Sequence, residues 1–297
     1  MRVIVSGSSG LIGSALVPAL TSGGHRVTRL VRSAPEPGAD AVRWDPSAGE
    51  LDRGALERMD ATVHLSGETV AGRWNEQRKA KILDSRVRST RLLAESLAAL
   101  HPRPSVLVCA SAIGYYGDRG DAPLSEASPP GAGFLAAVTK QWEAAAEPAR
   151  AAGIRVVNLR FGIVLSPAGG ALASMLTPFK LGLGGPFGGG RQWMSWIAID
   201  DVVGAIDHAL LTRELEGPAN ATAPNPVTNR EFVKTLGRVL GRPAVARVPA
   251  PVLRLALGEF AQELVGGQRV LPARLTDTGY SFRHPELEGA LRHVLGK

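Results

Sequence analysis

The stretch "RVIVSGSSGLIG", Arg2 to Gly13, decides the fold. A β-branched run from Arg2 to Gly7 ends in glycine, the signal of a short buried strand. Gly7, Gly10 and Gly13 then fall in the pattern G-x-x-G-x-x-G. The residues that follow, "LIGSALVPALTSGG", have helical spacing and stop on a glycine pair. Pro18 lies inside this segment and is expected to weaken or kink the helix. Each glycine has a physical use between a strand and a helix. Gly7 allows a tight turn, Gly10 lets the backbone approach a pyrophosphate, and Gly13 lets helix and strand pack closely. The helix N-terminus adds unpaired N–H groups and a favourable dipole. On this reading Gly7, Ser8, Ser9, Gly10, Leu11, Ile12 and Gly13 cradle the phosphates of a dinucleotide.

The next strand, "HRVTRLVR" (His25 to Arg32), selects the dinucleotide. An acid at its end would accept from a ribose 2′-hydroxyl, whereas an arginine suits a 2′-phosphate. Arg32 stands at the tip, Arg29 shortly before it, and no acid is present. NADP(H) is therefore expected over NAD(H), the alternative being that Arg32 simply faces solvent.

Further strands are expected at "ATVHLSGE" (Ala61 to Glu68), "SVLVCASAIGYYG" (Ser105 to Gly117) and "IRVVNLRFGIVLS" (Ile154 to Ser166). Helical segments separate them, among them "RVRSTRLLAESLAAL" and "FLAAVTKQWEAAAEPARAAG". Alternation of this kind argues for an α/β fold, a Rossmann-like doubly wound parallel sheet with helices on both faces. After Ser166 the texture changes. "KLGLGGPFGGGRQW" (Lys180 to Trp193) reads as a long mobile loop of the type found near functional sites. Residues 1–225 are read as the nucleotide-binding domain, including a lid segment at about 167–200. Residues 226–297 are read as a small C-terminal α+β substrate lobe.

Composition narrows the function classes. The chain of 297 residues is 44% hydrophobic and 21% charged, as a globular protein is. Charge, Gly or Pro interrupts every apolar run, so no membrane span is expected. The N-terminus passes directly into a strand and has no cleavage-site pattern, which with the single Cys109 implies a cytoplasmic protein. Cys109 sits in "SVLVCAS" and reads as a core thiol. The net charge of +7 raises nucleic-acid binding. The basic residues are scattered, however, and the densest patch, Arg73 to Arg91, has the pattern of a solvated helix face, so no nucleic-acid partner is expected. The six histidines show no ligand spacing, and no metal is expected.

The glycine triplet and "SAIGYYG" resemble the extended short-chain dehydrogenase/reductase superfamily. Longer blocks are more specific: "LSGETVAGRWNEQRKAKILDSRV", "LTPFKLGLGGPFGGGRQWMSWIAIDD", "NATAPNPVTNREF" and "GQRVLPARL". They are similar to an atypical, class 39U-like subfamily called epimerase family proteins, which carries an NAD-dependent epimerase domain and a C-terminal domain of unknown function. The resemblance spans nearly the whole chain. It implies a Rossmann-type fold and NADP(H) binding but names no substrate. It places Leu65, Ser66 and Gly67 on the adenosine side, has Arg86 reach towards the cofactor, and sets Val164 at the nicotinamide end. Glu68 is a second acid/base or ribose contact, or else a turn carboxylate.

In that superfamily a tyrosine is the general acid/base, a lysine four residues later lowers its pKa, and a serine on the preceding strand positions the substrate. Ser111 matches the serine and Lys140 the lysine, but Ala136 stands at the tyrosine position. Three readings follow. Tyr115 or Tyr116 supplies the phenol; Lys140 or a water carries the proton; or the protein binds NADPH without turnover, as a sensor or regulator. The leading expectation is an NADP(H)-dependent oxidoreductase or epimerase-like enzyme acting on a small carbonyl or hydroxyl compound. Homologous folds often dimerise beside the active site, and a homodimer is a candidate assembly. Gln192, Trp193, Ser195 and Trp196 are candidate lid residues, and Asp200 and Asp201 read as a helix N-cap and first-turn acid.

Overall fold

The computed structural model describes all 297 residues. Strand β1 (Arg2–Ser6) enters the glycine turn and helix α1 (Leu11–Ser22) leaves it. The helix runs through Pro18. Pro18 lies on the exposed face, where water can satisfy the carbonyl left without its N–H donor. Strand β2 (Arg26–Val31) returns parallel to β1, with Val3 beside Val27. It is followed by β3 (Ala41–Asp45) and the two-residue β4 (Glu50–Leu51), which pairs antiparallel with β3. The sequence reading missed both; Trp44 of β3 is buried against the helix layer.

The chain then crosses to the other side of β1. It forms β5 (Ala61–His64), α2 (Glu76–Ala98), β6 (Val106–Ala112), β7 (Pro123–Leu124), α3 (Phe134–Ala144), α4 (Glu147–Ala151) and β8 (Arg155–Phe161). A break at Gly162 separates β8 from β9 (Ile163–Leu165). There follow α5 (Gly170–Lys180), β10 (Trp193–Met194), β11 (Trp196–Ala198), α6 (Ile199–Leu211) and β12 (Gly217–Ala221). The remainder is β13 (Val227–Thr228), α7 (Asn229–Leu240), α8 (Ala250–Leu257), α9 (Ala261–Val265), β14 (Arg269–Val270), α10 (Ala273–Asp277) and α11 (Leu287–Leu295).

Eight strands form the main sheet in the order β12-β8-β6-β5-β1-β2-β3-β4. All pairs but β3–β4 are parallel. Successive strands step one way from β1 to β3 and the other way from β5 to β12. The order therefore reverses at β1/β5, where open α/β sheets leave a crevice for ligands at their carboxyl ends. One face packs on α1 and α6, with Leu16, Leu20, Val202 and Ile206 in its core. The other packs on α2 and α4, with Leu93, Leu97 and Ala149. Cys109 belongs to this second layer and is fully enclosed, and burial pushes its thiol up to about 12.

The smaller C-terminal lobe has its own core, in which Phe179 and Trp196 meet Phe232, Leu236 and Leu291. A capping box between Thr228 and Glu231 starts α7. The glycine-rich segment expected to be mobile is instead bonded at intervals into this lobe. Ala246 N donates to Gly184 O (3.0 Å), Val248 N to Pro186 O (3.0 Å) and Gly188 N to Val248 O (2.9 Å). A Cβ on Gly185 would come 2.2 Å from Ala246 O, so this glycine is there for close approach rather than for freedom.

Candidate functional site

The glycine turn sits at the β1/β5 switch point. Gly7 has φ +69°, the left-handed region that favours glycine, and a Cβ there would lie 2.7 Å from the Leu65 backbone carbon. A Cβ on Gly13 would lie 2.3 Å from Gly7 O and 2.6 Å from Ser8 Cα. Gly10 differs: its Cβ would meet only Gly7 O, at 3.3 Å, and the residue is exposed. Gly10 is also the N-cap of α1 and offers no side chain to the first-turn N–H groups. Two glycines thus serve the packing of the turn, and the third keeps open the approach to an unpaired helix N-terminus. This is the geometry an anionic phosphate requires. Ser8 and Ser9 lie in the turn, and Leu11 and Ile12 in the first turn of α1. Leu11 packs on the start of α5, 3.2 Å from the Cβ position of Gly170, and Val164 O borders the same glycine.

The end of β5 is held by a buried polar chain. Ser6 Oγ is 2.6 Å from His64 Nδ1, His64 Nε2 is 3.2 Å from Ser89 Oγ, and Leu65 N donates to Ser6 Oγ (3.2 Å). Complete burial lowers the pKa of His64 to about 4, so the ring is neutral and acts as a strut. Beyond it Leu65 and Ser66 are half-buried, and Gly67 and Glu68 are exposed. Glu68 N donates to Ser85 Oγ (3.0 Å), tying this segment to α2.

Arg86 of α2 stands over Gly67, 3.3 Å from where a Cβ would be, with its guanidinium 5.0 Å from the centre of the Trp142 ring. Burial pulls its pKa down to about 10, opposed by Glu68. Its one hydrogen bond is to Ile82 O (3.0 Å), and no carboxylate pairs with it. Arg32 is exposed at the end of β2 and has neither a hydrogen bond nor an ion pair within the protein. Both cations flank the switch point with donors to spare.

At the end of β6 the structure differs from the sequence expectation. Ser111 Oγ donates to Glu143 Oε1 (2.6 Å). Glu143 in turn takes two parallel bonds from Arg160 of β8, Nε to Oε1 and Nη2 to Oε2, both 2.8 Å. Arg160 Nη1 donates to the Tyr116 hydroxyl (2.9 Å), which donates to Asn220 Oδ1 (2.7 Å). The Asn220 N–H donates to Glu126 Oε1 (2.8 Å), and its Nδ2 to Leu271 O (2.9 Å) in the C-terminal lobe. Burial opposes the charge on Arg160, but the Glu143 bonds and charge outweigh it and hold its pKa above the ordinary arginine value. Burial likewise raises the Tyr116 phenol, against the pull of Arg160.

Of the two tyrosines, Tyr116 is fully enclosed and fixed at both lone pair and proton. Tyr115 is half-buried, its ring stacked 3.5 Å from the Arg160 guanidinium, and its hydroxyl makes no hydrogen bond within the chain. Lys140 is exposed, and no hydrogen bond or ion pair joins it to Ser111 or to any other side chain. The α3 residues nearest Gly114 are Leu135, whose Cβ is 3.2 Å from the Cβ position there, and Thr139, whose Oγ1 is 4.0 Å away. Leu135 and Thr139, one residue before Ala136 and Lys140, thus approach the loop after β6 at Gly114.

Leu135 and Ala136 both line a cleft of about 300 Å³ between this loop and the C-terminal lobe, with Gly114, Gly117, Gln262 and Glu263. Burial, and the charge of Asp118 nearby, raise the Glu263 carboxyl above its ordinary range. Sequence reading did not find Glu143, Arg160, Asn220 or Glu263, since none belongs to a local motif. The four candidate lid residues are framework. Trp196 is wholly buried, Ser195 Oγ donates to Gln268 O and accepts from Val270 N (both 2.8 Å), Gln192 Nε2 donates to Leu264 O (2.9 Å), and Trp193 Nε1 donates to Asp121 Oδ1 (2.7 Å). Asp200 and Asp201 both lie in the first turn of α6, whose N-cap is Ala198.

Comparison with known proteins agrees with this architecture. A model of the NAD dependent epimerase/dehydratase family matches residues 3–221, and a domain of unknown function, DUF1731, matches residues 248–294. The chain is 44% identical over 294 residues to epimerase family protein Mb2239 of Mycobacterium bovis, covering 98% of this chain and 97% of that one. It superposes on the crystal structure of human epimerase family protein SDR39U1 (isoform 2) with NADPH at a TM-score of 0.90, 37% identity and full coverage of both chains. A nucleoside-diphosphate sugar epimerase from Corynebacterium glutamicum aligns at a TM-score of 0.83 and 38% identity, over all of this chain and 58% of that one. No helix is long and apolar enough to cross a membrane.

Proposed function

The chain belongs to the NAD-dependent epimerase/dehydratase family, and from that premise we propose that it is an NADP(H)-dependent oxidoreductase or epimerase-like enzyme acting on a small hydroxyl or carbonyl compound. The observation that carries this reading is the glycine cradle: two glycines whose Cβ would press against backbone atoms of the turn, and a third left open beside an unpaired helix N-terminus. Gly7 to Gly13 would hold the pyrophosphate, Arg32 the 2′-phosphate, Leu65 to Gly67 the adenosine side with Arg86 above it, and Val164 the nicotinamide end. The bound nicotinamide would supply hydride transfer. Glu68, exposed beside Gly67, has its backbone on Ser85 and its carboxylate available to a ribose.

We assign proton transfer to Tyr115, the phenol with a free hydroxyl, and a framework role to Tyr116. The Glu143–Arg160 pair orients Ser111 from below and carries the cation against the Tyr115 ring. Lys140, exposed on α3, would reach the site only through cofactor or substrate. The substrate would occupy the cleft beside Gly114 and Ala136, where Glu263 is the carboxyl that keeps its proton to higher pH.

The test is direct binding of NADPH and NADH to purified protein, followed by tryptophan fluorescence and calorimetry, with Arg32→Ala alongside. Tight NADPH binding that depends on Arg32 supports the reading; equal affinity for both dinucleotides removes it. A specific observation favours a second reading, that of an NADPH-binding sensor without turnover: Ala136 stands at the tyrosine position, and exposed Lys140 makes no bond to Ser111. Stereospecific deuterium transfer from labelled NADPH to a cell-extract compound, lost in Tyr115→Phe, would exclude the sensor.

A further inference from the structure

At the start of α6 and in the C-terminal lobe, three side chains from separate parts of the chain converge. Asp200 lies in the first turn of α6, His284 in the segment between α10 and α11, and His293 in the last turn of α11. One ligating atom from each lies within 4.8 Å of the other two. Asp200 Oδ2 is 3.2 Å from His293 Nε2, and the two imidazoles stack at 4.2 Å with an interplanar angle of 24°. Asp200 and His284 are half-buried, and His293 is half-exposed.

The frame behind these side chains is rigid. Buried Asp201 takes the backbone N–H of Arg283 on Oδ1 (2.7 Å) and that of His284 on Oδ2 (2.9 Å). Its Oδ1 also accepts from the Tyr280 hydroxyl (3.0 Å). Asn225 Nδ2 donates to Glu286 Oε1 (2.6 Å), two residues beyond His284. Leu287, Ala290 and Leu291 anchor α11 in the lobe's core, which fixes the Cα of His293. The neighbouring carboxylate thus orients the backbone of one ligand, the type of outer support that tunes metal sites.

We propose that Asp200, His284 and His293 bind a divalent transition ion of the zinc class, with water in the fourth position. An ion pair alone would need one imidazole against Asp200. It would leave the His284 ring without a hydrogen-bonding partner, since only His293 reaches Asp200. A divalent ion lets both rings stay neutral while balancing the carboxylate. Two imidazoles and one carboxylate suit zinc, and three protein ligands leave an open position. With metal–ligand bonds of about 2.0–2.2 Å, tetrahedral donor atoms stand roughly 3.3–3.5 Å apart. The Asp200–His293 pair, at 3.2 Å, is close to this spacing, and binding would require the rings to turn out of their stack so that both lone pairs converge on the ion, a movement open to the half-exposed His293. The ion would brace the C-terminal helix against the start of α6. The site is separate from the proposed cofactor cradle and its test does not depend on turnover.

The experiment is a calorimetric titration of untagged, chelator-treated full-length protein with zinc chloride, with cobalt(II) absorbance as a second probe of coordination. The expected result is one equivalent bound, at least tenfold weaker in each of Asp200→Asn, His284→Ala and His293→Ala and unchanged in His101→Ala, an exposed histidine elsewhere. Circular dichroism confirms that each variant is folded; His293, half-exposed, can be replaced without loss of packing. The melting temperature should rise with zinc in the parent and not in His293→Ala. No saturable binding, or binding that any one of the three ligand variants leaves unchanged, overturns the proposal.

Discussion

Gly10 and Gly13 differ in what a methyl group would meet, and this separates folding from cofactor binding. At Gly13 an added Cβ would lie 2.3 Å from Gly7 O and 2.6 and 2.8 Å from Ser8 Cα and C. All three are backbone atoms of a tight turn and have no rotamer to change. Gly13→Ala therefore forces helix and strand apart, an overpacking cost of about 1–3 kcal/mol. For a chain of this size, that is a fall in melting temperature of roughly 2–10 °C. At Gly10 the Cβ would touch only Gly7 O, at 3.3 Å, and the backbone (φ −77°, ψ 175°) is open to any residue. Gly10→Ala should hold the parent stability to within about 1 kcal/mol, the cost of the one close contact being offset by lower unfolded-chain entropy. Its methyl group would nonetheless stand where the phosphates approach the helix N-terminus. NADPH affinity should fall at least ~10-fold, or about 1.4 kcal/mol. Differential scanning calorimetry without cofactor and a fluorescence titration with NADPH read the two effects separately. If Gly10→Ala binds NADPH as the parent does, or Gly13→Ala melts with the parent, the reasoning about the cradle is wrong.

Arg32→Ala should weaken NADPH about tenfold, the scale of one charge-assisted hydrogen bond, and leave NADH unchanged; competition titrations decide. Glu143→Ala strands the Arg160 guanidinium, only 3% exposed, and should cost about 3–5 kcal/mol in urea unfolding. Glu143→Gln, which keeps an acceptor for Ser111, should cost clearly less, and equal losses would count against the network. For His64 the folded pKa, about 4, lies below the unfolded value near 6.5. The unfolded chain therefore binds more protons between these values, and stability is complete above about pH 6.5 and lost as pH falls towards 4. The span is up to about 3 kcal/mol. Urea midpoints of the parent and His64→Gln should converge as pH falls, and parallel curves would show that His64 does not contribute.

Local chemistry determined the first half of this protein from the sequence alone. A strand, three spaced glycines and a helix are neighbours along the chain, so their geometry is set by the residues themselves. The same holds for Arg32, which ends the strand that follows. Tertiary packing decided the end of the candidate site at β6 and α3. Which residues of α3 face the loop after β6 depends on the rotation of the helix about its axis. That rotation is set by Trp142 against Thr90 and by Glu143 against Arg160, contacts with partners 52 and 17 residues away. A shift of one residue turns a helix by about 100°, enough to carry a side chain off the site. The histidines likewise show no ligand spacing in the chain. His284 and His293 meet Asp200 only because Asp201 and the core of α11 bring the C-terminal segment back onto α6. Spacing along a chain reveals a site when the ligand is held by consecutive residues; where single side chains from distant segments converge, only the packing of the whole lobe brings them together.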